Sequence, residues 1–309
     1  MKIRKPESYI LIIFCFIGLH VVHAQQIAKE ELIYLTDTWK GERFDDGRPK
    51  IPADLIERAK GISIDVAWQI LDNEGYASQY EGEWKSINDQ PVVGRAVTAM
   101  FLPSRPDIEK QIKTRGHEQG FKGNTNSWPI AKLTEGDIYV ADAFGKTLQG
   151  TLIGDNLGNA IYSKTKRGVV FYGSSRDLEG LSKIEGFNAF VKNWNPTYLK
   201  NVMLAGLNTP IKIGRAIVMP GDLVLAKKEG VIFIPAHLVE KVVLTAEFID
   251  LRDEFGHEML SKGIYESGEI DNEWTPAIKD RFLKWIKNNV NSVPMTQEEL
   301  NHFLNKRTW

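Results

Sequence analysis

The chain has 309 residues, 42% of them hydrophobic and 26% charged, with 39 basic and 40 acidic side chains for a formal net charge of −1. That composition provides for a sizeable buried core and excludes an intrinsically disordered chain. The near balance of charge argues against a polyanion-binding role, so no nucleic-acid partner is expected.

The first 24 residues stand apart from the core. Lys2, Arg4 and Lys5 form a basic start, and residues 10–22 are an almost unbroken apolar run, short for a bilayer span. Val22-His23-Ala24 then resembles a small-residue cleavage site. This pattern predicts a signal peptide, an exported protein (periplasmic or secreted) beginning at Gln25, and no membrane segment after cleavage. Cys15, the only cysteine, lies inside the run and lacks a lipoprotein pattern. The mature chain would then have no thiol nucleophile, Cys-ligated metal or disulfide. Losing three basic residues and Glu7 would leave it a net charge of about −3.

Residues 25–60 read as a polar lead-in, with a helix over 29–37, a Gly/Pro loop over 44–52 and a short helix from Pro52 to Ala59. The spacing of Val66, Ile70 and Leu71 predicts a helix over 63–73. Residues 92–102 are β-rich and end at Pro103, and the polar segment 104–132 looks like an insertion. A strand is expected over 137–141, a helix over 156–166 and a buried strand over 168–172. Residues 216–225 and 230–234 read as a hairpin around Lys227-Lys228-Glu229. A helix starting at Pro235 should run to about Asp250. Ile278, Phe282, Trp285 and Ile286 share one face of a helix over 274–290, and Thr296-x-x-Glu299 caps a last short helix. The expected division is a lead-in to residue 60, a core over 61–245 and a helical extension over 246–309, packed on the core or on a neighbouring subunit.

Several motifs are missing. The sequence has no P-loop, no Gly-x-Gly-x-x-Gly after a strand and no His-Glu-x-x-His. His117, His237, His257 and His302 are scattered and read as surface or helix-face residues. Trp84, Trp128, Trp194 and Trp274 read as packing residues rather than a sugar platform.

One constellation remains. Gly154-Asp155-Asn156-Leu157-Gly158 leads into a helix whose first N–H groups suit a carboxylate. The strand over 168–172 is followed by Gly173-Ser174-Ser175-Arg176-Asp177, so a guanidinium and a carboxylate sit at its C-terminal end, where α/β sheets bind ligands. Arginine holds a carboxylate bidentately, and aspartate offers a hard oxygen to Mg²⁺ or Mn²⁺. The set suits a 2-keto acid, with Arg176 on its carboxylate, a metal on Asp177 and Asp155 as a second carboxylate. The pattern alone fits better a solvated Arg-Asp turn pair and an Asp155 favoured by the helix dipole, because Arg-Asp dipeptides are common.

A wider order of segments resembles the RraA-like family: residues 93–98, 136–142, 154–155, 168–177, 220–224 and 230–235, together covering roughly 60–245. That family contains regulators of ribonuclease E activity and class II 4-hydroxy-4-methyl-2-oxoglutarate aldolases. The resemblance implies an α/β/α swivelling-type domain with an N-terminal helical lead-in and a C-terminal helical extension, assembled as a trimer or hexamer. It implies that Arg176 holds the substrate carboxylate, Asp177 ligates Mg²⁺ or Mn²⁺, and Asp155 orients water or serves the proton transfer. Gly154 and the backbone N–H groups of Asn156 and Leu157 would help bind the keto acid. Asp253 or Glu254 would supply an acid to a neighbouring subunit. The implied activity is a metal-dependent aldolase or decarboxylase acting on a 2-keto acid or sugar-derived keto compound through an enolate. The alternative is a non-catalytic exported binding or regulatory module that keeps the fold. The export signal, the segment 104–132 and the extension are departures that put the aldolase's own substrate in doubt.

Overall fold

The computed structural model describes residues 26–289 and 293–306. The expected signal peptide, its cleavage point and Gln25 lie outside them, as does Val290 at the end of the helix expected over 274–290.

The lead-in carries α1 (Lys29–Leu35) and α2 (Ala53–Arg58). Next comes α3 (Ile64–Asn73), where the Ser63 hydroxyl accepts the Val66 N–H at 3.0 Å. Ser63 therefore ends the preceding loop by satisfying an otherwise orphaned donor. Ile64, Ala67, Ile70 and Leu71 form the buried stripe of α3, and Val66 lies at its edge.

The central sheet has eight strands. After the two-residue β1 (Tyr80–Glu81), β2 (Val92–Pro103) runs through its middle. The segment read as an insertion is largely helical: α4 (Pro106–Glu118), a 3₁₀ turn at Thr125–Ser127 and α5 (Trp128–Lys132). Its polar surface hid an apolar seam, because Ile112, Trp128 and Ile130 are buried against the sheet. β3 (Asp137–Thr151) outlasts the expected strand by ten residues, with irregular pairing beyond Asp142. Then follow α6 (Asp155–Thr165), β4 (Val169–Ser175), α7 (Leu178–Ser182), β5 (Ala189–Trp194) and β6 (Val202–Leu207). β7 (Ile211–Ile213) and β8 (Ala216–Val218) form a separate ribbon. The span 216–225 is thus two strands, broken at Pro220-Gly221. Gly221 has φ +91°, and a Cβ there would stand 2.6 Å from Pro49 Cδ, so this turn demands glycine.

β9 (Leu223–Lys227) and β10 (Gly230–Ile234) form the expected hairpin. The strand order is β1-β10-β9-β2-β3-β4-β5, with β6 also on β2. β2 through β5 are mutually parallel, and the others join antiparallel. A 3₁₀ turn at Ala236–Leu238 leads into α8 (Val239–Ser261), which runs well past Asp250. α9 (Ser267–Ile270), α10 (Pro276–Asn288) and α11 (Gln297–Lys306) complete the chain. The Thr296–Glu299 capping box is formed in both directions, at 2.7 and 3.3 Å.

Alternation along the strands sorts the core. Val97, Ala99, Tyr139, Val169 and Phe171 face helices α4 to α7, while Val93, Leu225 and Ile232 on the same side face α2, α3 and α8. The intervening residues, among them Val140, Val170 and Phe190, face the β7–β8 ribbon. The C-terminal helices bury their own aromatic cluster against α8, built around Phe248, Phe255, Trp274 and Phe282. Arg58 on α2 pairs with Glu247 on α8 and Glu299 ahead of α11's second turn, at 2.5 and 3.0 Å, which raises its pKa further.

At the N-terminal edge of the parallel strands lies a buried charge cluster. Asp137 is fully enclosed and receives Arg95 Nε at 3.2 Å, Thr134 N at 3.0 Å and Thr134 Oγ1 at 2.9 Å. Arg48 of the lead-in approaches the same carboxylate at 3.2 Å and also pairs with Asp46 at 2.8 Å. Both guanidiniums stack near the Phe44 ring. Burial lowers the pKa of Arg95, and the Asp137 charge opposes that shift. Removing Asp137 leaves the enclosed Arg95 without its anion and Arg48 with Asp46 alone. Asp137→Ala should therefore lose roughly 3–5 kcal/mol of unfolding free energy in a urea titration.

Candidate functional site

β4 ends at Ser175 and hands the chain directly to Arg176 and Asp177, while β3 ends beside the start of α6. Both turns lie at the carboxyl ends of parallel strands, the edge of an α/β sheet left open for ligands. Ser175 Oγ and Arg176 N–H both donate to Ile153 O, at 2.9 and 3.1 Å. Those two bonds fasten the two turns to each other.

The sequence-predicted residues converge there. Asp177 sits in the left-handed region, φ +57° and ψ 41°, as the residue that opens α7. Arg176 Nε lies 3.3 Å from Asp177 Oδ2, and both side chains are a little over 40% exposed. An added Cβ on Gly154 would come within 2.3 Å of that same Oδ2 and 3.0 Å of Arg176 Nε. The missing side chain at 154 is therefore the space the ion pair occupies. Across the corner, a Cβ on Gly180 would stand 2.9 Å from Asp155 Oδ2, and one on Gly158 would press into Leu181 at 2.3 Å. Three glycines bring α6, α7 and the β4 turn close enough for two carboxylates and a guanidinium to share one corner.

Arg176, Gly154, Asp155, Asn156 and Leu157 line one wall of a cleft of about 400 Å³. α6 begins at Asp155, so its first-turn N–H groups point outward without intrahelical partners. One of these is already engaged: Asn156 N–H donates to the Asp155 carboxylate at 2.8 Å. Asp155 is thus held against its own helix start, and its Oδ1 competes with any ligand for that amide.

The opposite wall was missed in the sequence. It comes from 123–127, between α4 and α5, and from Tyr198 and Leu199. Asn126 Nδ2 donates to Leu152 O at 2.6 Å, joining this wall to the β3–α6 turn. The available signal was the density of Asn, Ser and Gly in 120–127, which marks a shaped loop.

The other candidates fall elsewhere. His117, His237, His257 and His302 are all exposed, away from this cleft. Trp128 and Trp274 are buried packing residues, and Trp84 holds the Lys192 ammonium over its ring. Asp222 is a buried carboxyl that accepts Met219 N–H at 2.8 Å, and enclosure pushes its pKa up to about 7. Asp222 organises the Pro220-Gly221 turn and lies outside the cleft.

A family model described as RraA-like, Aldolase/RraA, matches residues 53–233. The chain belongs to the RraA-like family. Among curated relatives, this RraA-like chain is 26% identical over 165 residues to an uncharacterised protein of Methanocaldococcus jannaschii, covering 52% of this chain and 78% of that one. It is 28% identical over 133 residues to a protein of Halalkalibacterium halodurans named as a candidate 4-hydroxy-4-methyl-2-oxoglutarate aldolase, covering 43% and 62%. A protein of Alcanivorax borkumensis with the same name is 30% identical over 105 residues, covering 34% and 64%. The match therefore spans less than two thirds of either aldolase-named relative. The fold is shared with Streptomyces coelicolor RraAS2, described as an unusual member of the RNase ES inhibitor RraA family: TM-score 0.56, 21% identity, 68% of this chain and 98% of that one. An uncharacterised Pseudomonas syringae protein gives a TM-score of 0.58 at 20% identity, over 72% and 94%.

The glycines make a sharp contrast testable. A Cβ at Gly168 would meet the Asn188 backbone oxygen at 1.9 Å, whereas at Gly154 it meets the tip of a half-exposed side-chain carboxylate. Gly168→Ala should cost about 2 kcal/mol or more in a denaturant titration, and Gly154→Ala less than about 1 kcal/mol.

Proposed function

We propose that this RraA-like chain is a divalent-metal-dependent lyase of the aldolase or decarboxylase type, acting on a 2-keto acid. The observation that carries the reading is that Arg176 and Asp177 pair over Gly154 while Arg176 and Asp155 line one cleft, with Asp177 beside Arg176 and outside that lining. The family and the aldolase-named relatives support the same reaction class.

The donor set fits Mg²⁺ or Mn²⁺. Such hard cations take one or two carboxylates and keep several waters, and Asp177 presents a half-exposed carboxylate to solvent. Among the described residues no cluster of three or more His, Cys, Asp or Glu side chains forms a closed metal cage. When bound, the cation supplies Lewis acidity that draws negative charge onto the keto oxygen.

The protein's own groups do the rest. Arg176 holds the substrate carboxylate through two parallel N–H donors and fixes the plane of the keto acid. The first turn of α6, at Asn156 and Leu157, adds positive partial charge beside that carboxylate. In the cleavage step the C3–C4 bond breaks, its electron pair passes into the enolate, and the proton on the C4 hydroxyl leaves for a base. Reprotonation at C3 then gives pyruvate and a second carbonyl compound. Asp155 is placed to carry that proton, since it sits at the cleft wall and is braced by the Asn156 amide.

We place the protein outside the cytoplasm, on the strength of the basic start, apolar run and Ala24. N-terminal sequencing of the exported chain should begin at Gln25; an intact Met1 on the exported protein would overturn this. We assign it a homotrimeric or hexameric assembly in which Asp253 or Glu254, both exposed on α8, serves a neighbouring copy.

The central test is pyruvate release from 4-hydroxy-2-keto acids and from oxaloacetate with Mg²⁺ or Mn²⁺. Asp177→Ala and Arg176→Ala should each lower kcat/KM by about 100-fold or more, and a chelator should abolish turnover. Equal inertness of wild type and Asp177→Ala, with no shift in Tm on adding either metal, would leave the non-catalytic binding module as the reading.

A further inference from the structure

We propose that a second cavity, beside the lead-in, binds a small organic cation of the alkylammonium or alkylguanidinium class. The inference stands apart from the lyase reading, since this cavity and the first cleft share no described lining residue. It has a volume of about 580 Å³ and lies between the C-terminal end of α1, the loop after α3 and the turns that follow β8 and β10. That is room for a small ligand. Arg43 pins the α1 side, donating to Thr36 O at 2.6 Å and Trp39 O at 3.2 Å, and the Trp39 indole N–H donates to Glu42 O at 2.8 Å. The wall is therefore preformed.

Two fixed acceptors, Gln79 and Asp222, belong to the lining and are buried. Gln79 spends both amide protons, on Ile217 O at 3.1 Å and Phe233 O at 3.0 Å. Only an NH₂ group can donate to two carbonyls, so these partners orient the amide. Its Oε1 remains an acceptor without a partner among the described residues. The Asp222 carboxylate accepts the Met219 N–H at 2.8 Å and the Ala236 N–H, but no lysine or arginine among the described residues pairs with it. Enclosure without a counter-ion is what pushes its pKa up to about 7. Neither group has a proton left to donate when Asp222 is ionised. A buried, uncompensated carboxylate together with a fixed carbonyl oxygen suits a cation rich in N–H donors.

The surrounding chemistry agrees. Trp39 and Tyr76 contribute aromatic rings, whose faces attract organic cations. The Tyr76 hydroxyl stands 3.3 Å from His237 Nε2, and burial lowers the His237 pKa, so that imidazole is neutral at pH 7 and above. Asp37 adds a second carboxylate at the exposed rim, and no lysine or arginine is among the described lining residues. Lys40 stands outside the lining and spends its ammonium on Asp37 O at 2.5 Å. The hydroxyls of Thr38 and Ser78 at the rim can donate to an anion, but an anion seated there would share the cavity with two carboxylates. Leu35 and Ile217, 44% and 52% exposed, offer an apolar lip to the ligand's alkyl chain.

The test is calorimetry on the full chain at about pH 8, where Asp222 is ionised. It would compare n-butylammonium and n-butylguanidinium with n-pentanol and butyrate, a neutral and an anionic molecule of similar length. Each cation should bind at least about ten-fold more tightly than either counterpart. Asp222→Asn keeps the shape and removes the charge, and should weaken both cations about ten-fold or more. Ser78→Arg sets a guanidinium at an exposed rim position and should do the same with Tm unchanged; it decides the question if Asp222→Asn does not fold. Asp177→Ala, beside the first cleft, should leave both affinities as they were. Equal affinity for n-pentanol, a preference for butyrate, or no binding at all overturns the inference. So does cation binding that survives Ser78→Arg or a folded Asp222→Asn, or that disappears with Asp177→Ala. The lyase reading is untouched by any of these outcomes, because pyruvate release tests it separately.

Discussion

The candidate site depends on backbone proximity at three positions that carry no side chain. Gly154, Gly158 and Gly180 let α6, α7 and the β4 turn approach until Asp155, Arg176 and Asp177 share one corner. At each position the room a Cβ would need is taken by a neighbour: the Asp177 carboxylate, the Leu181 side chain and the Asp155 carboxylate. Packing and chemistry are therefore one constraint here. The same glycines that close the helix onto the sheet define where charge can stand.

That corner must be held still, and the parallel strands do so from behind. Val169, Val170 and Phe171 of β4 are fully enclosed, with helices on one side and the β7–β8 ribbon on the other. The Asp137 cluster fixes the other end of the same strands. It joins β2 and β3 to the lead-in through Arg95 and Arg48, so a segment with little regular structure becomes part of the core. Rigid charge lies at the base of the sheet and exposed charge at its open edge. A buried carboxylate needs full compensation, whereas a functional one must reach solvent and ligand.

The segment 104–132 contributes a wall of the cleft rather than its candidate reacting groups. Trp128 anchors it, stacked on Phe121 and edge-on to His117, and Gly116 leaves room for the Trp128 ring. With that anchor in place, 123–127 can carry neutral polar groups across from Arg176. The candidate corner comes from short-range order in 154–177, and the wall across from it comes from a piece some thirty residues earlier in the chain.

Much was decided by the sequence itself. Periodicity placed α3 and α10, each burying one stripe behind its own cap, Ser63 and Thr275, and the Lys227-Lys228-Glu229 turn marked the β9–β10 hairpin, whose strands are buried on both faces. The candidacy of Asp155, Arg176 and Asp177 was legible only through the wider order of segments that resembles the RraA-like family, since an Arg-Asp pair after a strand by itself fits a solvated turn. Tertiary structure alone decided whether they met. Their convergence depends on the distance between α6 and α7, which Gly158 and Gly180 permit but no local pattern states. The helical nature of 104–132 was hidden for a related reason: its buried seam is sparse, and its polar surface dominates any window. β6 escaped notice because its pairing partner β2 is distant in sequence, and β5, which pairs with the neighbouring β4, is a short strand without clear alternation. Local propensity encodes which element a segment can form, and only long-range packing fixes which side chains face one another across a cleft.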